Sequence, residues 1–175
     1  GVIAELTGLP ALASDELDSV QWGLLQTSIA STAAIFFILL LAFRSLRFGV
    51  MSLLPLGVGT ITTLGAVRLL YGELNLITAS FVSVLLGLGI DFGIHLLSRY
   101  GELTREGKSP AEAIEGSLVR GAPGLMTGAA TTIAAFMTTT TTDFTAFAQL
   151  GVITSVGLVL MLAAAFALMP PLIRV

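Results

Sequence analysis

Residues Leu76–Leu97 read LITASFVSVLLGLGIDFGIHLL, an apolar stretch of membrane length with one carboxylate, Asp91, in its interior. The next formal charge along the chain is Arg99. A carboxylate near the middle of a bilayer costs roughly 2.5–3.5 kcal/mol on insertion scales. A chain carries such a residue when something uses it or when a buried partner offsets the cost. What the chain does therefore turns on what Asp91 does.

The composition around this stretch is that of a membrane protein. The apolar fraction is 55% and the charged fraction 11%, against about 25% charged in an ordinary soluble domain. The absence of cysteine excludes a disulfide framework and thiolate metal sites. The net charge of −3 is spread along the chain, with no basic patch to suggest nucleic acid. The first residue is Gly and no basic-then-apolar leader opens the chain, which reads as a piece of a longer polypeptide.

Apolar runs of about 20 residues can cross a bilayer core, and five are expected here. They lie at about 22–43, 48–70, 76–98, 122–142 and 144–169, with Pro170-Pro171 closing the last. The fold class is thus all-α, a polytopic transmembrane bundle occupying residues 21–175. Residues 1–20 read as the end of an external domain. Pro55, Gly57, Gly59 and Gly65 fall inside the second span, where neighbouring helices and hydroxyls can satisfy freed backbone groups. No internal repeat stands out.

The basic residues orient the chain. Arg44 and Arg47 fall between the first two spans; Arg99, Arg105, Lys108 and Arg120 between the third and fourth; Arg174 after the fifth. Only Arg68 falls on the other side. The positive-inside tendency then places the C-terminus in the cytoplasm. The acidic N-terminal segment (Glu5, Asp15, Glu16, Asp18) and the turns at Glu73 and Asp143 lie outside. The expected location is the inner (cytoplasmic) membrane, with multiple passes. Between spans three and four, Ser109-Pro110-Ala111-Glu112 spells a capping box with proline at the first helical position. A short cytoplasmic surface helix is expected over about 110–120.

At about 1.5 Å per residue, Asp91 would sit some 12 Å from Arg99, in the inner half of the membrane. His95 is one turn nearer the cytoplasm on the same face, and Gly87 one turn the other way. Loss of water at this depth disfavours a carboxylate, while a charged imidazole beside it favours one. Asp91 and His95 therefore read as a proton-accepting pair. One charge moved through the membrane potential is worth about 2.3 kcal/mol per 100 mV, enough to bias a conformational equilibrium. Gly89 and Gly93, like Gly124 and Gly128, form small-xxx-small pairs that permit close helix approach. Gly87, Gly89 and Gly93 are accordingly assigned to helix packing around the relay. The Thr138–Thr142 run is expected to bond back to helix carbonyls.

Enzyme-like matches fail on context. Asp91-Phe92-Gly93 spells a kinase tripeptide without its catalytic or glycine-rich loops. Gly87-x-Gly89 lacks the third glycine of a dinucleotide fingerprint, because position 92 is Phe. An intramembrane aspartyl protease needs a second facing aspartate, and Asp143 lies at the opposite edge. One histidine and no cysteine leave no metal constellation. No catalytic residue, cofactor or metal is expected.

The stretch GLGIDFGIHLLSRYGE (Gly87–Glu102) resembles the fourth transmembrane helix of resistance–nodulation–division (RND) superfamily exporters. The similarity is to the MMPL and hopanoid-exporter branch, which is related to sterol-sensing domains. TGLPALASDEL (Thr7–Leu17) resembles the end of an external domain entering the second helix. The run from Gly107 to Ile173 resembles the inner surface helix followed by helices five and six. The resemblance implies helices two to six of a six-helix half, without its first helix and without a second half. It also implies export coupled to proton influx, with Asp91 as relay residue. Many relatives carry tyrosine after this aspartate where this chain has Phe92, so that hydrogen bond is missing and His95 stands as a substitute. In relatives the equivalent helix of the other half often completes the relay.

The function expected is thus the membrane portion of a proton-driven exporter. Its partners would be protons, a membrane lipid or other hydrophobic cargo, the absent first helix and second half, and a further copy in a homo-oligomer. A lipid sensor resembling a sterol-sensing domain, without transport, is the alternative. An auxiliary component of protein export is a third reading.

Overall fold

A computed structural model describes residues 9–72 and 80–174, and everything in that range that is regular is helical. Five α-helices follow in order: α1 (Leu9–Phe43), α2 (Leu46–Tyr71), α3 (Phe81–Arg105), α4 (Pro110–Met137) and α5 (Thr145–Arg174). A 3-10 turn, Thr138–Thr141, extends the end of α4. Three of these, α2, α3 and α5, are long and apolar enough to cross a membrane by length and composition. In α1 the apolar part is shorter, Leu25–Leu41. The chain is a multi-pass helical membrane protein.

Several boundaries differ from the sequence expectation. α1 runs back to Leu9 and has 35 residues, about 52 Å of helix against a hydrocarbon core of about 30 Å. The expected surface helix and fourth span are a single helix. Pro123 does not break α4, because a proline inside a helix removes one backbone bond that packed neighbours can tolerate. α5 passes through Pro170-Pro171 to Arg174. Those prolines fall in its final turn, where only the carbonyls one turn back lose a donor. The first residues of the expected third span, with Glu73, Asn75 and Leu76, lie outside the described residues.

α3 is the hub, touching all four other helices, and α5 packs on α2, α3 and α4. Lipid tails are as apolar as leucine, so burial alone does not drive such packing in a bilayer. Close van der Waals contact does, and here small residues create it. At the junction of α2, α3 and α5, Met161 lies between Gly59 and Gly89. A Cβ on Gly59 would stand 2.9 Å from the Met161 Cα, and one on Gly89 would meet the Met161 sulfur and, at 2.9 Å, Leu56 Cδ1. Gly157 of α5 approaches Leu85 and Thr63 in the same way. Phe81, Leu85, Leu96, Ile153, Leu158 and Met161 fill the core between these contacts.

Hydroxyls in the helices mostly bond to their own backbone. Ser52, Thr60 and Thr63 of α2 donate to the carbonyls of Phe48, Leu56 and Gly59. Thr138, Thr139, Thr140 and Thr141 each donate three residues back, which suits the tight winding there. At the start of α4 the capping box is formed: Ser109 N–H donates to Glu112 Oε2 at 2.9 Å, and Glu112 N–H to Ser109 Oγ at 3.4 Å.

The basic residues collect at one end of the bundle. Arg47 Nη2 reaches the Ile173 carbonyl at 3.5 Å, joining the start of α2 to the end of α5. Ser52 and Met169 lie against Gly93, and Leu103 against Gly116, so the end of α3 and the start of α4 share that end.

Candidate functional site

α3 presents two unlike faces. Leu85, Gly89, Gly93 and Leu96 are buried among neighbouring helices. Gly87, Asp91 and His95 are exposed. Asp91 is ten residues into α3, about 15 Å from its start in a helix about 37 Å long, so it lies near the middle of the span. The sequence anticipates a desolvated carboxylate; within this chain the opposite holds, and the side chain points out of the bundle. Neither Asp91 nor His95 makes a hydrogen bond or an ion pair with any described residue.

Both open onto a groove of about 500 Å³ between α3 and α4. Along α3 its polar wall is Asp91, His95 and Arg99, each one turn from the next. Opposite stand Arg120, Gly124 and Gly128 of α4. Leu88, Phe92, Leu125 and Leu158 supply apolar floor. Arg99 is held by an ion pair with Glu102, three residues on, while Arg120 has no ion pair among the described residues. The groove thus grades from an acid at membrane depth to two guanidinium groups at the basic end.

Of the residues singled out from sequence, the structure brings Asp91 and His95 to one groove. It divides the three glycines: Gly89 and Gly93 touch neighbours, whereas a Cβ on Gly87 would meet only open space. Gly124 and Gly128 also face open space. Arg99 and Arg120 are the groove residues that sequence reasoning passed over as mere orientation markers. For Arg99 the signal was present, since it continues the four-residue spacing of Asp91 and His95. For Arg120 none existed, because its place depends on how α4 lies on α3. No group of three or more potential metal ligands occurs among the described residues.

An intramembrane acid on the fourth helix of such a half can now be set beside known proteins. The MMPL family profile matches residues 1–175. The chain belongs to the MMPL family. It is 34% identical to the hopanoid transporter HpnN of Burkholderia multivorans over 99% of its own length, which is 20% of that protein. It is 35% identical to the MJ1562 protein of Methanocaldococcus jannaschii over 84% of its length, 38% of that protein. MmpL4 of Mycobacterium leprae is 29% identical over all of this chain and 19% of its own. The chain therefore spans between about a fifth and two-fifths of these MMPL relatives.

Proposed function

We propose that this MMPL chain is the membrane portion of an RND-type exporter driven by the proton-motive force. Its cargo would be lipids or other hydrophobic molecules, as the name of the hopanoid transporter suggests. The observation that carries the reading is Asp91: a carboxylate at mid-span, without a partner, on the open side of an otherwise closely packed helix. In a bilayer such a group is unfavourable when charged and acceptable when neutral. Protonation thus changes how stably this face of α3 sits against whatever covers it, and that difference between two states is what a coupled machine requires. His95, one turn nearer the basic end, is the next acceptor along the groove.

What covers the face follows from the lengths of the relatives. A match of similar extent takes up 38% of MJ1562 but 20% of the hopanoid transporter, so one protein is about half as long as the other. A two-half protein would supply the equivalent helix from its other half, and a one-half protein from a second copy. The basic end is assigned to the cytoplasm and the membrane to the inner one. No residue set here suggests covalent catalysis, so the chain is read as a transporter component and not an enzyme.

The test is proton flux and cargo export by the full-length protein in proteoliposomes, wild type against Asp91→Asn. Removing a charge that senses the whole potential should lower proton-coupled export at least about tenfold. Unchanged export with unchanged proton dependence would refute the relay and leave a lipid sensor as the better reading.

A further inference from the structure

The open row on α3 does not begin at Asp91. Four residues outward is Gly87, exposed and with open space where its Cβ would lie. Four further is Ser83, whose Oγ is buried yet has no hydrogen-bond partner among the described residues. Other membrane-depth hydroxyls, such as those of Ser52, Thr60 and Thr63, return to their own helix. A buried hydroxyl left without any bond is costly in an apolar setting. Water satisfies it where there is room, and the missing side chain at position 87 provides the room.

We propose that Ser83 and Gly87 form a water lane through which protons reach Asp91 from the end of the bundle opposite the basic one. The proposal rests on the relay reading of Asp91 and adds its outer entrance. Ser83, Gly87, Asp91, His95 and Arg99 lie on a single row of i, i+4 neighbours, each about 5–6 Å from the next at Cβ. A water held by Ser83 lies over Gly87 and donates to the Asp91 carboxylate. A proton arriving along that water neutralises Asp91, and its departure to His95 restores the anion. Around Asp91 the other charged or titratable groups are His95 and Arg99 on α3 and Arg120 on α4. Among the described residues α1, α2 and α5 bring none to the groove. The outer half of the row therefore has no titratable group of its own, and water is the only carrier it can hold. Ser83 and Gly87 are positioning residues, acting through that water.

The experiment is proton flux in proteoliposomes bearing the full-length protein, with protein level and thermal stability followed in parallel. Gly87→Leu should cut flux about tenfold, the effect of losing a hydrogen-bonded carrier on a barrier. Gly87→Ala should reduce flux severalfold and Gly87→Ser should restore it, although Ser is larger than Ala. Ser83→Ala should lower flux and Ser83→Thr keep it. Where Gly87→Leu lowers the protein level, the Ala and Ser pair decides. Equal flux for Gly87→Ala and Gly87→Ser, or wild-type flux for Gly87→Leu, overturns the lane. If Asp91→Asn abolishes coupling in that same experiment, the relay stands and only the lane fails; if Asp91→Asn has no effect, the relay itself fails.

Discussion

Gly89 with Gly93, and Gly124 with Gly128, are the same pattern in sequence and opposite things in space. The first pair lies where α3 meets α2 and α5, with Met161, Leu56, Met169 and Ser52 pressed against it. The second lies on α4 along the Asp91 groove, with nothing from this chain within 4 Å of where a Cβ would be. A small-xxx-small pair says that a backbone can be approached closely, not what approaches it. The packed pair belongs to the stability of this bundle. The open pair belongs to the surface where Asp91 waits for a partner.

The contrast can be broken most forcefully at the shared neighbour of Gly59 and Gly89. Met161→Ala should destabilise the protein by about 2–5 kcal/mol, the range for truncating a buried methionine, read as a shift in unfolding by denaturing detergent. Gly89→Ala comes next. Its new methyl meets the Met161 sulfur and Leu56, an overpacking that costs about 1–3 kcal/mol. The two changes should be far from additive, since truncating Met161 vacates the space the methyl needs. Additivity would mean that the junction is looser than the contacts indicate.

The inner end of α4 gives a smaller and chemically different handle, because the groove depends on how that helix is seated. Ser109→Ala removes the cap and should cost about 1 kcal/mol. The bonds from the Ser109 side chain and backbone hold the Glu112 carboxyl below its ordinary value. A carboxyl lowered in the folded state adds stability above its unfolded value and loses it as pH falls through the folded one. The capped start of α4 should therefore fray at acid pH, seen as faster amide exchange over the first turn, and Glu112→Gln should flatten that dependence. Exchange independent of pH in the wild type would remove the capping box from the account.

The helical class, the capping box and the exceptional standing of Asp91 were legible because each is local. Apolar run length sets a span, Ser109 and Glu112 meet across one turn, and four-residue spacing puts Asp91 beside His95. Three things were not local. The continuity of α4 through Pro123 and of α5 through Pro170 depends on backbone context that hydropathy does not register. The exposure of Asp91 depends on which side of α3 the other helices occupy. The different fates of Gly87 and Gly89, two residues apart, follow from the same placement. A helix turns about 100° per residue, so the two point to nearly opposite faces.

The smallest expected effect is the most discriminating. Gly128→Ala adds a methyl where the chain offers only open space, and alanine is the better helix former by close to 1 kcal/mol. In a chain comprising only these helices the change should be neutral to slightly stabilising. In the full-length protein a partner helix on the Asp91 groove would meet that methyl, and the sign should reverse toward the cost seen at Gly89. Measuring Gly128→Ala in both settings thus asks directly whether the open pair is a second packing seam. A reversal shows that something sits against α4 beside Asp91. Equal, near-zero effects in both would leave the groove facing lipid, and Asp91 would then have to find its partner elsewhere.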